Sequence, residues 1–410
     1  MKPFSLLIKP TSADCNLRCE YCFYLPRSEL YPECTRHRMS NAVLEAMISG
    51  YMGTDQPQYA FGWQGGEPLL MGEDFFHKIT DLQKVCGRPG AVVANGLQTN
   101  TTLVTESLAQ HLAKYKFLTG VSLDGWPELH DRFRKAIDGR GSHRMVMAGL
   151  EKLRKAGVET NVLCLVSQAN VSHPREVYRW FKDQSFLYHQ YIPCVEFEED
   201  ESLTPHSITG EEWGEFLCEI YDEWRAGDER TVSVRLFDSI MMRYFNGTRT
   251  ICRMGHDCRH YFVVEHNGDV YPCDFFVDPE LRLGNVCENS WEELLASDVY
   301  AEFGKRKSKW NARCEKCEVL DLCMGDCLKH RPPRGGDPHA LSTLCAGWKR
   351  FFLHACDDLK ALANEERQRR DTARRAEIAS AAVARHISRN APCPCGSGRK
   401  FKQCCMKYAR

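Results

Sequence analysis

The stretch DCNLRCEYCFY, residues 14–24, places Cys15, Cys19 and Cys22 directly behind an apolar run, FSLLIKP at residues 4–10. Spacings of four and three gather the sulfurs on one side even of a helical turn. A structural zinc takes four ligands, and an ordinary [4Fe–4S] cluster takes one cysteine per iron. Three thiolates therefore point to a cubane with one iron left open to another molecule. The bland alternative, three small residues on a buried helix face, sits poorly with the interleaved Asn16, Arg18 and Glu20.

The chain has 410 residues, 43% hydrophobic and 27% charged, with a net charge of −1. That balance suits a globular protein and gives no global attraction to nucleic acid or membrane. No apolar run approaches the roughly 20 residues of a membrane span, and MKPFSLLIKP is too short in apolar residues for a secretory signal. The expectation is a cytoplasmic protein. Thiols stay reduced there, so its 22 cysteines point to metal. Beyond the first triad, Cys252, Cys258 and Cys273 form one set, and Cys314, Cys317, Cys323, Cys327 and Cys345 another. Cys393, Cys395, Cys404 and Cys405 close the chain. The scattered remainder (Cys34, Cys86, Cys164, Cys194, Cys218, Cys287 and Cys356) is expected as small buried hydrophobes.

Strand patterns at residues 4–10, 58–66, 91–100, 117–125, 159–166 and 188–195 alternate with helical ones, among them 41–51, 73–86, 105–114 and 144–156. Such alternation predicts an α/β fold with a parallel sheet. If the sheet curls, chemistry belongs on the loops after the strands. The unusual residues fall there: the cysteines, then Gly65-Gly66-Glu67-Pro68, Gln98-Thr99-Asn100 and Ser122-Leu123-Asp124-Gly125. After about residue 235 the alternation stops. Two apolar runs around Asn267-Gly268 predict a hairpin, a cysteine- and turn-rich region follows, and residues 365–388 read as a charged, solvated helix. The expected division is 1–235, 236–360, a helical linker 361–388 and a tail 389–410.

The triad, with Tyr21 and Phe23 beside its last cysteine, resembles the signature of the radical S-adenosylmethionine superfamily, and Gly65-Gly66-Glu67-Pro68 matches its GGEP motif. The resemblance implies a partial (β/α)6 TIM-type barrel. It implies a cluster on Cys15, Cys19 and Cys22 that holds S-adenosylmethionine, with Gly65, Gly66 and Glu67 at the methionine amine. Ser122 and Arg134 match positions that contact the same molecule. The second half is similar to the SPASM extension, which implies two auxiliary [4Fe–4S] clusters, one on Cys252, Cys258, Cys273 and Cys327 and one on Cys314, Cys317, Cys323 and Cys345. Spacing alone does not say which four belong together, and two zinc sites would use the same number of thiolates.

Within that superfamily KPTSADCNLRCEYCFYL, FGWQGGEPLL, QTN, VSLDGWPELHDRFR and VYPCDFFV together resemble the anaerobic sulfatase-maturating enzymes. The resemblance implies oxidation of a cysteine or serine, in a Cys/Ser-x-Pro/Ala-x-Arg motif of an unfolded sulfatase precursor, to Cα-formylglycine. It places Asp274 as the catalytic base and Tyr24, Gln64, Gln98 and Asn100 around substrate. An electron donor such as flavodoxin or ferredoxin is implied as well. The tail PCPCGSGRKFKQCC is similar to the SEC-C zinc module, with Cys393, Cys395, Cys404 and Cys405 as ligands. It is a departure from what sulfatase maturation needs and raises contact with a chaperone or the export machinery. Competing readings are another SPASM maturase, forming thioether or carbon–carbon crosslinks, a non-catalytic iron–sulfur scaffold, and a zinc adaptor. A first strand at residue 4 leaves no room ahead of it for the peptide-binding winged domain common in crosslinking maturases, which favours the sulfatase reading.

Overall fold

The computed structural model describes residues 2–332 and 337–409. Contacts divide the chain into two compact units, Met1–Leu236 with Ile251–His354, and Phe237–Thr250 with Ala355–Arg410.

The first unit is built on one ten-stranded sheet. Its strands are β1 (Ser5–Lys9), β2 (Tyr59–Trp63), β3 (Val93–Thr99), β4 (Leu118–Ser122), β5 (Thr160–Val166), β6 (Tyr188–Pro193), β7 (Ser233–Val234), β8 (Tyr261–Glu265), β9 (Asp269–Tyr271) and β10 (Gly284–Asn285). The order is β10-β9-β8-β1-β2-β3-β4-β5-β6-β7. All pairs from β8 through β7 are parallel, so the C-terminal ends of β1 to β6 share one rim. This is the α/β fold with a parallel sheet expected of the alternation, in the strand order of the partial barrel that the resemblance implies. Between the strands lie α1 (Asn41–Gly53), α2 (Glu73–Cys86), α3 (Glu106–Lys114), α4 (Pro127–Phe133), α5 (His143–Lys155), α6 (Pro174–Asp183) and α7 (Gly210–Arg225). Each buries an apolar stripe; on α5 it is Val146, Leu150 and Leu153, at helical spacing. Side-chain caps start several of them: Ser40 accepts from Val43 N, and Thr105 from Leu108 N.

The hairpin around Gly268 (φ +91°) is present as β8–β9. It does not stand apart from the barrel. β8 runs parallel to β1 over five residues, Ser5 opposite Tyr261 through Lys9 opposite Glu265. The cysteine-rich region thereby continues the barrel sheet, which brings Glu265 and the segment after β9 to the end of β1.

In the second unit the charged segment is helical, but the helix begins earlier than its composition suggested. One continuous helix spans Cys345–Ala384 with no break at residue 361. A small cluster of Ala379, Ala382, Cys393, Phe401, Cys404 and Cys405 is buried at its end. Among the described residues, no helix is long and apolar enough to cross a membrane.

Candidate active site and metal centres

The loop after β1 carries the cysteine triad and is pinned from three sides. Glu67 N donates to Asp14 O at 2.8 Å, and Thr11 Oγ1 donates to Gly65 O at 3.1 Å. Gly66 is needed here: its φ is +50°, and a Cβ would run into the Asp14 carbonyl. Asn100 Nδ2 reaches Asn16 Oδ1 at 2.9 Å and lies 3.8 Å from Cys15 Sγ. On the third side Arg134 holds Asp124 with two bonds, Nε to Oδ2 at 2.8 Å and Nη2 to Oδ1 at 3.0 Å. Asp124 also accepts from the Tyr21 hydroxyl, between Cys19 and Cys22, and from Leu165 N on β5.

Burial pushes the Cys15 thiol up to about 12, with Glu67 adding to the rise, and the Cys19 thiol up to about 11 against the pull of Arg134. Such thiols give up their protons when metal arrives to hold the thiolates. Glu67 is only 1% exposed. Burial raises its carboxyl to about 7, although it accepts from Asn100 N at 2.8 Å, Leu69 N at 3.0 Å and Thr99 Oγ1 at 2.8 Å.

Both groups have partners inside the chain as well: Arg134 meets the Asp124 carboxylate, and Glu67 ties the GGEP turn to the end of β3. Ser122 and Gln98 bond to each other across β3 and β4, Gln98 Nε2 to Ser122 Oγ at 2.9 Å.

A second group of side chains collects where β1, β2 and β9 end. Asp274, 6% exposed, forms an ion pair with Lys9 and accepts from Gln64 Nε2 at 3.4 Å. The Lys9 ammonium also stands 4.1 Å from the centre of the Tyr24 ring, and the Tyr24 hydroxyl bonds to Glu265 on β8. Asp274, Gln64 and Tyr24 were singled out in the sequence; Lys9 and Glu265 were not. Their signal was present: each is a lone charge inside an apolar strand, and a buried charge requires a partner.

In the cysteine-rich region Cys252, Cys258, Cys273 and Cys327 line one cavity, and Cys314, Cys317, Cys323 and Cys345 line another. The first is flanked by Arg253 and Lys307. Arg253 has both terminal nitrogens buried without a hydrogen-bond partner, its guanidinium 3.7 Å from the centre of the Trp348 ring. Burial pulls its affinity for a proton down, while Asp326 and the cysteines pull it back up. A buried cation lacking partners costs stability unless an anion sits beside it, and a cluster held by four thiolates is such an anion. The residues fit the group.

In the second unit the sulfurs of Cys393, Cys395, Cys404 and Cys405 all lie within 4.8 Å of one another. Zinc–sulfur bonds of about 2.3 Å put tetrahedral ligands about 3.8 Å apart, so this set fits zinc. The scattered cysteines divide. Cys164, Cys194 and Cys218 are buried as expected, Cys86 and Cys356 are half-buried, and Cys34 and Cys287 are exposed.

The radical SAM superfamily matches residues 10–181, an iron–sulfur cluster-binding domain (SPASM) residues 252–318, and the SEC-C motif residues 389–407. The serine-type anaerobic sulfatase-maturating enzyme of Bacteroides thetaiotaomicron is 36% identical, with 89% of this chain and 92% of that protein covered. The cysteine-type enzyme of Clostridium perfringens is 35% identical, with 89% and 99% covered. A solved structure described as native anSMEcpe with bound AdoMet and Cp18Cys peptide superposes with a TM-score of 0.83 at 35% identity, over 88% of this chain and 99% of that one. A triad loop pinned to a parallel sheet, two four-cysteine cavities in the cysteine-rich region and these relationships have one reading: the chain is an iron–sulfur, radical S-adenosylmethionine enzyme that belongs to the anaerobic sulfatase-maturating enzymes.

Proposed function

We propose that this enzyme oxidises a cysteine or serine in a sulfatase precursor to Cα-formylglycine, with Asp274 as the base. The observation that carries the reading is the group at the ends of β1, β2 and β9: a buried carboxylate beside Cys273, paired with Lys9 and touched by Gln64. The cluster on Cys15, Cys19 and Cys22, with S-adenosylmethionine bound, supplies a radical that removes a hydrogen atom from the target Cβ. Asp274 would then accept the thiol or hydroxyl proton as a second electron leaves, and an auxiliary cluster would supply a one-electron acceptor; a serine target gives the aldehyde directly, and a cysteine target gives a thioaldehyde that water hydrolyses with release of hydrogen sulfide. The Lys9 ammonium, paired with Asp274, fixes where that carboxylate stands. Gln64 and Tyr24 line the approach and set the target side chain, and Gln98, Asn100, Ser122 and Arg134 shape the floor next to the triad. Cys252, Cys258, Cys273 and Cys327 hold one auxiliary cluster, and Cys314, Cys317, Cys323 and Cys345 the other. A ferredoxin or flavodoxin supplies the first electron in the cytoplasm.

The test is anaerobic. Reconstituted enzyme, reductant and S-adenosylmethionine are mixed with a Cys-x-Pro-x-Arg peptide and, separately, its serine counterpart. Mass spectrometry should show sulfur replaced by oxygen with loss of two hydrogens in the first, or loss of two hydrogens in the second, with matching 5′-deoxyadenosine. Formation of 5′-deoxyadenosine with both peptides unchanged would sink the substrate assignment.

The tail holds one zinc and serves as a docking element for a chaperone or the export machinery. Removing residues 389–410 should leave peptide oxidation intact while abolishing co-purification with such a partner. If activity collapses instead, the tail is a structural part of the enzyme.

A further inference from the structure

Outside the sites already described, Cys34, His37 and His266 offer ligand atoms that all lie within 4.8 Å of one another. Cys34 and His37 come from the segment joining the triad loop to α1, and His266 from the turn after β8. His37 is 3% exposed and His266 7%. The two rings meet edge to face with centroids 4.9 Å apart, and the Tyr31 ring packs against His266 at the same distance.

Two features of this cluster suit a cation. His266 Nδ1 is buried without a hydrogen-bond partner. It stands 3.6 Å from Glu265 Oε2, which is also buried and unpartnered. On His37 the ring has two acceptors, Asp14 Oδ1 2.9 Å from Nδ1 and the Tyr31 carbonyl 3.1 Å from Nε2. A doubly protonated ring satisfies both; with a neutral ring donating Nδ1–H to Asp14, a cation at Nε2 takes the place of the second proton, and a carboxylate on the far nitrogen of a ligating imidazole is the usual outer support of a metal-bound histidine. Asp14 is itself held by His37 N at 2.9 Å and Arg38 Nη1 at 2.7 Å, so the support is rigid.

We propose that Cys34, His37 and His266 bind one further divalent cation of the zinc class. One thiolate and two imidazoles are borderline-soft ligands of the kind zinc takes. Water or the Tyr31 carbonyl completes the four. Cys34, being exposed, closes onto the ion last. The ion ties the segment after the triad to the end of β8, next to Glu265, whose other oxygen bonds the Tyr24 hydroxyl. It thus braces one wall of the Lys9–Asp274 pocket.

The experiment counts zinc and iron per chain by plasma mass spectrometry in the full-length, cluster-loaded enzyme purified anaerobically. The comparison proteins are Cys34→Ser, His266→Phe and a tail variant, Cys395→Ser with Cys404→Ser. The expected result is one zinc fewer in Cys34→Ser and in His266→Phe than in the parent, with iron unchanged. The tail variant should retain one zinc, whose X-ray absorption edge reports mixed nitrogen and sulfur ligands. Equal zinc in the parent and in Cys34→Ser would overturn the proposal, as would an all-sulfur signature in the tail variant. Should His266→Phe lose iron through misfolding, the exposed Cys34 position decides. A failure of the tail to hold zinc lowers the counts of the parent, Cys34→Ser and His266→Phe by one, leaves the tail variant equal to the parent, and keeps the difference between parent and Cys34→Ser intact.

Discussion

The triad loop and the C-terminal tail both gather cysteines, yet they are held in opposite ways. Around Cys15, Cys19 and Cys22 the framework comes from distant parts of the chain: the GGEP turn, the end of β3, and the Asp124–Arg134 pair. In the tail the sulfurs come from a stretch of thirteen residues, Cys393 to Cys405, and only Ala379, Ala382 and Phe401 join three of these cysteines in the buried cluster there. In the first arrangement the loop is placed by hydrogen bonds to the sheet and its loops that do not involve the thiols, so its shape is expected to be largely preformed. The second depends on its ion for much of its stability, as small thiolate modules do.

The largest effect should come from Cys19→Ala. S-adenosylmethionine cleavage should fall to background while the circular dichroism of the sheet persists; loss of the sheet signal would show that the first pocket is not preformed. Next is Asp274→Asn. A missing general base costs about 10²–10⁴-fold, so peptide oxidation should drop by that order while 5′-deoxyadenosine still forms, and a parallel loss of both products would move Asp274 from proton transfer to cofactor binding. Arg134→Ala leaves the Asp124 charge buried and single, which costs about 3–5 kcal/mol; denaturant midpoints would register it. In the Cys34→Ser protein, where the tail alone is expected to hold zinc, a chelator selective for zinc should open the tail, seen as rapid amide exchange confined to residues 389–409, with the remaining peptide oxidation unchanged by the chelator.

The smallest effect belongs to Glu366. Arg369 and Arg370 hold its carboxyl low, at about 2, through hydrogen bonds on an exposed helix face. Its contribution is present above the ordinary glutamate range and is lost as pH falls toward 2. Glu366→Gln should therefore change stability by no more than about 0.5 kcal/mol, and a larger change in thermal melting would mean the helix leans on this pair.

Much of this was legible in the sequence because local chemistry carried it. The six barrel strands follow from apolar runs bounded by turns, and the hairpin follows from Asn267-Gly268. What escaped was made by pairing over long distances or by elements too short to show a period. β7 and β10 have two residues each. Nothing in YFVVE says that it lies beside SLLIK, so Lys9 and Glu265 read as oddities in strands instead of members of one pocket. Nothing in the sequence says that Arg134 pairs with Asp124, ten residues upstream, so that pair is visible only in the fold. The start of the long helix at Cys345 was hidden because an apolar stretch, GWKRFFLHA, precedes the charged segment and lacks its composition.

The pairing of β1 with β8 has a consequence for how the protein is made. Ser5 leaves the ribosome about 250 residues before its partner Tyr261. At about 5–20 residues per second, β1 waits roughly 12–50 s with one edge open. During that interval the first strand of the enzyme is an unpaired template, and the chain's yield in a cell should depend on the pace of translation and on whatever shields that edge until the last third of the polypeptide arrives.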